Sequence, residues 1–443
     1  MMPYIEPKTR STVSDDSGMP SKATPQEGED MLVNNLVYRQ PVDLSLAKSR
    51  THTKQFFQRS DYTSAPGKTA ICDWNTGASY IHCANSFLVF DLEVRTTSAT
   101  THQFYFGTGS AMNIINRLNI RTKSGSEIDR VDYVPLWSRV DVEYNCDKDY
   151  KESVMSMAGY GSQQLFLSEQ PGERVFRMAI PLERLAPCFR PLKGQLMPPQ
   201  LASGLHVEMV FEDVNNILRS SSDSEPSTYH VTNIHFLLDQ VDLSDEAQKA
   251  ISVESAETGL EWVTPRVYAV QTSLAGGVTN ASVQIRKAVS QATRAYTVVQ
   301  KASQYNSKTE DATASASFPA TAKFQYNLGS LYFPNQEVSD TNSATPVSSF
   351  IEALYTFDKT KDSKRGTDMA LLKFSQTSSI LAMTSSRDDQ LYLSGLNVNN
   401  SRALQFKGEF VWGGGYTGSH LMTSFLDYVQ VVKCYNDQSV VSI

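Results

Sequence analysis

No stretch of eighteen apolar residues occurs anywhere in the 443-residue sequence, so nothing in it reads as a membrane-spanning helix. Basic excess is missing too. The formal net charge is −7, the wrong balance for a chain that neutralises nucleic-acid phosphates over its surface. The five cysteines, Cys72, Cys83, Cys146, Cys188 and Cys434, form no C-x-x-C pair and are odd in number. They read as reduced thiols of a protein made in the cytosol, not as a disulfide framework. The opening MMPYIEPKTRSTVSDD lacks the apolar core of a secretory signal. Asn280-Ala-Ser and Asn399-Asn-Ser match the glycosylation pattern but, without such a signal, read as polar loop residues.

Catalytic signatures are also lacking. Gly67-Lys68-Thr69 resembles the end of a phosphate-binding loop, but that loop needs a glycine at position 62, where Tyr62 stands. Gly413-Gly414-Gly415 follows a strand pattern without a strong helix after it, which suits a bulge or loop better than a dinucleotide site. The seven histidines, His52, His82, His102, His206, His230, His235 and His420, show no metal-ligand spacing, and there is no G-x-S-x-G elbow. The expectation is no catalytic residue, no metal ligand and no cofactor.

What the chain has is material for sheets: 20 Phe, 20 Tyr and 4 Trp in a 40% hydrophobic composition. From about residue 84 the dominant period is two. In FLVFDLEVR, Leu88, Phe90, Leu92 and Val94 face one way, and Val89, Asp91, Glu93 and Arg95 the other. Asn116, Leu118 and Ile120 alternate with Arg117, Asn119 and Arg121, Ser124-Gly125 supplies a turn, and the return strand carries Ile128. PLWSRVDVEYNC (135–146) reads as a short helix with Pro135 in its first turn. VFRMAIPL (175–182) is a strand. GLHVEMVFED turns Leu205, Val207, Met209 and Phe211 inward and His206, Glu208 and Glu212 outward.

The second half repeats the style. WVTPRVYAVQTSL (262–274) is a strand that Pro265 assigns to an edge or bulge. VQIRKAVSQATRAYTVVQKA (283–302) carries an apolar stripe of helical spacing, yet β-branched and aromatic residues crowd its end, which favours a turn or short helix followed by a strand. FQYNLGSLYFP (324–334) is a strand interrupted by Gly329, and VSSFIEALYTF (347–357) a helix capped near Ser348. ALQFKGEFVW (403–412) aligns Leu404, Phe406, Gly408 and Phe410, and FLDYVQVVKCY (425–435) is the closing strand. Two blocks of strands with few, short helices predict two all-β sandwiches in series. Residues 1 to about 32, rich in Ser, Thr, Pro and mixed charge, read as a flexible arm.

Between the blocks lies FLLDQVDLSDEAQKAI, with Asp239, Asp242, Asp245 and Glu246 close together. Ile234, Phe236 and Leu238 share one strand face, and His235, Leu237 and Asp239 the other. Asp239 and Asp242 therefore point apart and cannot share a metal. Ser244 is a good N-cap, and Asp245 and Glu246 fall in the first turn, where a helix favours negative charge. The cluster reads as a joint, not a site.

With the strands placed, five ordered stretches carry a resemblance: INRLNIRTKSGSEIDRVDYVPLW (115–137), MAIPLERLAPCFRPLKGQLMPPQLASGLHVEMVFED (178–213), IHFLLDQVDLSDEAQKAI, FQYNLGSLYFPNQ (324–336) and LYLSGLNVNNSRALQFKGEFVW (391–412). Together, over roughly residues 40 to 443, they resemble the double jelly-roll major capsid proteins of double-stranded DNA viruses, the lineage of adenovirus hexons, virophages and polinton-like viruses.

The resemblance implies an all-β fold of two consecutive eight-stranded jelly-roll sandwiches: an arm at 1–40, a first roll at 41–245 and a second at 246–443. It implies a structural subunit without enzymatic activity. Three copies would form a pseudo-hexameric capsomer that tiles an icosahedral shell, meeting neighbouring capsomers, pentons and minor or cement proteins. The protein would be made in the host cytoplasm and reside in the virion, with no sequence-specific nucleic-acid binding. Two alternatives stand beside it: a carbohydrate-binding two-sandwich protein stacking sugars on Trp74, Trp137, Trp262 or Trp412, and a minor capsid or spike protein. The charged hairpin RTKSGSEIDR is either a solvated hairpin or a contact between subunits.

Replacing Ser244 by Ala is expected to cost about 1 kcal/mol of stability and to leave assembly intact. Chemical denaturation and particle formation, measured on the same variant, check both halves of that statement.

Overall fold

The structure is a computed structural model. It describes residues 46–95, 102–107, 110–160, 166–168, 174–192, 194–220, 228–307, 309–360, 367–385, 395–398, 402–413, 417–435 and 440–442. The arm expected at 1–40, Asn399 and Gly414-Gly415 lie outside the described residues.

Strands dominate. The first half contains β1 (Ala47–Phe56), β2 (Thr69–Asp73), β3 (Tyr80–Ile81), β4 (Phe87–Arg95), β5 (His102–Phe106), β6 (Ile115–Arg121), β7 (Glu127–Val131), β8 (Phe166–Ser168), β9 (Arg174–Pro181), β10 (His206–Phe211), β11 (Leu218–Ser220) and β12 (Thr228–Leu243). The second half contains β13 (Leu260–Leu274), β14 (Asn280–Ile285), β15 (Val289–Lys301), β16 (Thr321–Leu328), β17 (Leu331–Asp340), β18 (Leu381–Thr384), β19 (Leu396–Val398), β20 (Leu404–Val411), β21 (His420–Cys434) and β22 (Val440–Ser442).

In the first half one sheet runs β1-β12-β4-β9 and the facing sheet β2-β10-β6-β7; in the second they run β13-β21-β15-β18 and β14-β20-β16-β17. When the eight main strands of each half are counted in chain order, both halves have one sheet ordered 1-8-3-6 and the other 2-7-4-5. The same winding occurs twice. Every paired strand is antiparallel, which lets each sheet bury one face and wet the other. β3, β19 and β22 extend the larger sheets, and β11-β5-β8 form a small third sheet in the first half.

Alternation decides the inward faces. Leu88, Phe90, Leu92 and Val94 of β4 are buried, as are Val207, Met209 and Phe211 of β10. Glu212 departs from the expectation: it is buried, because the chain turns inward after Phe211 and its carboxylate accepts bonds from Asn216 Nδ2 (3.0 Å) and the Asp213 amide (2.9 Å). The turn at Ser124-Gly125 joins β6 to β7, with the Gly125 amide donating to the Thr122 carbonyl at 2.9 Å.

One expectation is narrowed and two are corrected. Residues 283–302 hold the expected strand, preceded by a short break and not by a helix. They form the end of β14, a short break and β15, which lies between β21 and β18, with every residue from Ala295 to Gln300 buried. A strand covered on both faces loses its alternation, which is how a helical spacing arose by chance. Residues 324–334 are not one interrupted strand but a hairpin: Gly329, at φ +63°, turns β16 into β17. The helix Val347–Thr356 is not capped by Ser348; the Asp340 carboxylate at the end of β17 accepts from the Ser348 and Ser349 amides (3.0 and 2.8 Å).

Pro265 sits on β13, which is at the edge of its sheet. Gly408 faces inward between two rings; a Cβ there would meet Phe410 at 2.5 Å. One continuous hydrophobic cluster spans both halves, from Phe57 to Cys434.

Candidate functional site

The acid cluster at the joint separates as period-two spacing requires. Asp239 is buried and accepts two bonds from Arg50 Nε on β1 (2.9 and 3.0 Å). Burial works to raise its pKa, but the Arg50 guanidinium, together with the Asn85 and His52 side chains, holds the carboxyl below its usual value. Asp242 accepts instead from the Ser49 and Ser79 hydroxyls, both at 2.6 Å, which lower its pKa. Ser244 caps the helix Asp245–Glu257, its Oγ accepting from the Ala247 amide at 3.4 Å, and Asp245 and Glu246 occupy the first turn. Among the described residues no group of three or more His, Cys, Asp or Glu side chains is placed to hold a metal ion.

The densest chemistry lies elsewhere, in the seam between the two halves. The helix Val134–Asn145, with Pro135 in its first turn, follows β7 and is buried along ten of its twelve residues. A helix covered on every side has no face for charge, yet this one carries Arg139, Asp141 and Glu143, and all three are buried. Each charge must then find partners, and the second half supplies many of them.

Arg139 donates to the carbonyls of Thr313 and Thr377 (2.7 Å for the latter) and to Ser378 Oγ at 3.0 Å; its Nε lies 3.3 Å from Glu143. Glu143 also meets Lys373 at 3.2 Å and accepts from Ser378 Oγ at 3.3 Å. The Tyr144 hydroxyl donates to the Ser378 carbonyl at 2.7 Å, and its ring stacks on Phe357 at 5.1 Å. Lys151 bridges the Glu143 carbonyl (2.9 Å) and Asp368. Asp141 looks the other way, to Arg184 (3.1 Å) and Arg190 (2.6 Å) of the first half. Burial pushes its carboxyl upward, and the two guanidiniums overcome that push and hold it well below the usual carboxylate range.

A second set of bonds closes the seam's other end. Trp262 Nε1 of β13 donates to the Cys188 carbonyl at 3.2 Å, and the Leu192 amide to the Val263 carbonyl at 3.1 Å. Asp129 accepts from the Cys188 amide at 3.0 Å; burial raises its pKa, with Arg266 opposing.

The sequence reading placed the helix but missed the seam. The available signal was three charges spaced two apart among Leu136, Trp137, Val140 and Val142, a pattern that fits neither a solvated nor an apolar face. Of the four tryptophans proposed as sugar platforms, Trp74, Trp137 and Trp262 are buried, and Trp412 stacks on His420 at 3.8 Å. All five cysteines are buried free thiols. Gly67 occupies a tight turn rather than a helix start.

No family model matches the sequence, and no curated protein does. Solved structures do. PBCV-1 VP54, fitted into a reconstruction of the virophage Sputnik, is similar over 92% of this chain and 98% of that one, with a TM-score of 0.61 at 10% identity. The Faustovirus major capsid protein covers 94% of this chain and 95% of its own at a TM-score of 0.57 and 9% identity. The mavirus major capsid protein covers 98% and 97% at a TM-score of 0.53 and 11% identity. The chain has the double jelly-roll fold. Its seam is therefore the contact between two jelly rolls, and the helix Val134–Asn145 sits in the loop between the fifth and sixth strands of the first roll.

Arg139→Met leaves two seam carbonyls without their donor and removes one of the two cations that meet the buried Glu143. Breaking a buried pair from one side costs about 3–5 kcal/mol. Chemical denaturation of the variant is expected to show a loss of that order, and a smaller loss for Arg139→Met combined with Glu143→Gln.

Proposed function

We propose that this protein is a viral major capsid protein, a structural subunit that trimerises into a pseudo-hexameric capsomer. The observation that carries this reading is the repeated winding: two jelly rolls of the same strand order, joined by one helix and locked by a buried polar seam. A subunit made of two like bodies turns three chains into six. Six like bodies around an axis make a near-hexagonal tile, the shape that covers a flat facet with few kinds of contact. The similarity in fold to the PBCV-1, Faustovirus and mavirus capsid proteins over more than nine-tenths of the chain supports the same reading.

On this reading the arm is 1–40, the first roll 41–245 and the second 246–443, with the capped helix Asp245–Glu257 as the joint. The residues act by shape and contact. Neighbouring capsomers, pentons and minor or cement proteins are the partners, and the virion is the destination. Seam residues keep the two rolls at a fixed angle, so that a facet built from many copies stays flat.

Light scattering of the purified full chain is expected to return three times the chain mass, and electron microscopy a particle of six-lobed outline. A monomer that persists under every assembly condition would refute the proposal.

A further inference from the structure

The two rolls share a winding order but differ in how the loop between their fifth and sixth strands is covered. In the first roll that loop, between β7 and β9, holds the helix Val134–Asn145, buried against the second roll of the same chain. In the second roll the corresponding loop, between β17 and β18, holds the helix Val347–Thr356. Its inner face, Ser349, Ala353 and Thr356, packs on its own roll. Its outer face does not follow the usual rule for a surface helix. Val347, Ile351 and Tyr355, spaced four apart and so aligned along one side, are 47%, 44% and 51% exposed.

The helix is firmly held. Asp340 caps it, the Phe350 ring lies 5.1 Å from Phe374, and Phe357 just beyond its end stacks on Tyr144. The apolar stripe is thus a fixed feature of the surface. An aligned apolar stripe on a rigid element marks a contact surface.

We infer that the stripe Val347–Ile351–Tyr355 docks against the first jelly roll of a second copy of this chain. The occupant follows from the internal repeat. In a ring where first and second rolls alternate, each roll meets the next through the same kind of face, and the helix between strands five and six lies in that face. Within one chain the first roll's helix is covered all round, whereas, among the described residues, the second roll's helix meets the first roll only at its end, through Phe357, and its outer stripe stays exposed. The next copy's first roll covers that stripe, in the heterologous head-to-tail contact that closes a ring. The chemistry differs in the expected direction. The intrachain seam, formed once during folding, carries buried charges, whereas the surface left for another copy is apolar, as the centre of a subunit interface is. This inference rests on the trimer proposed above.

The test is Ile351→Asp in the full chain, with mass read by light scattering at a concentration where the wild type is trimeric. The expected result is a monomer that keeps the wild-type near-ultraviolet circular dichroism. Tyr355→Ala, which adds no charge, is expected to raise at least tenfold the concentration at which half the chains are trimeric, and it serves should the aspartate variant fail to fold. A wild-type trimer unaffected by Tyr355→Ala or by Ile351→Asp would overturn this inference alone. A wild-type chain that never forms a trimer would overturn the capsomer reading and this inference with it.

Discussion

The buried pair Arg139–Glu143, with the carbonyls and hydroxyls around it, is the constraint on which the rest of the molecule depends. Two sandwiches joined by a helix would by themselves be free to swing, because contacts between like bodies in one chain are usually modest. Here the first roll inserts a helix whose Arg139 and Glu143 complete their set of partners only with groups of the second roll in one register. A few ångströms of sliding would strip Arg139 of the Thr313, Thr377 and Ser378 oxygens, Glu143 of Lys373 and Ser378, and Lys151 of Asp368, leaving buried charge under-satisfied. Apolar residues of the same volume would bind the rolls as well but tolerate more than one register. The polar seam fixes the angle between the rolls, and on the proposed capsomer reading that angle is the property a repeating tile would need.

Seen from the seam, the two rolls are similar in plan and unequal in circumstance. The same loop in each carries a helix. One helix is buried all round with its charges paired inside the chain; the other keeps an apolar side toward solvent. On the capsomer reading proposed above, a subunit that is self-sufficient on one side and unfinished on the other would close into a ring with copies of itself. The fold, its repeat and the exposed stripe are thus three aspects of one design in which a single chain supplies both like and unlike contacts.

Much of this was legible in the sequence, for definite reasons. Strands with one wet face, such as β4 and β10, declare themselves by alternation, and the joint declared itself through Ser244 and the acids that follow it. What escaped notice had physical causes. β1 is almost wholly exposed and polar, Ala-Lys-Ser-Arg-Thr-His-Thr-Lys, so it offered no apolar period. It is held by its pairing with β12 and by Arg50 on Asp239. β15 is buried on both faces and lost its period altogether. The cap of the helix Val347–Thr356 comes from Asp340, outside the window in which a cap is sought. The seam was hidden because Arg139 and its partners Thr313 and Ser378 are brought together only by the packing of one roll on the other.

Scanning calorimetry of the purified chain tests the central claim most directly, since rolls locked by a shared polar seam must melt together. A single cooperative endotherm in the wild type, splitting into two when Arg139 is replaced by Met, is the result this account predicts. Two resolved endotherms in the wild type, one for each roll, would contradict it.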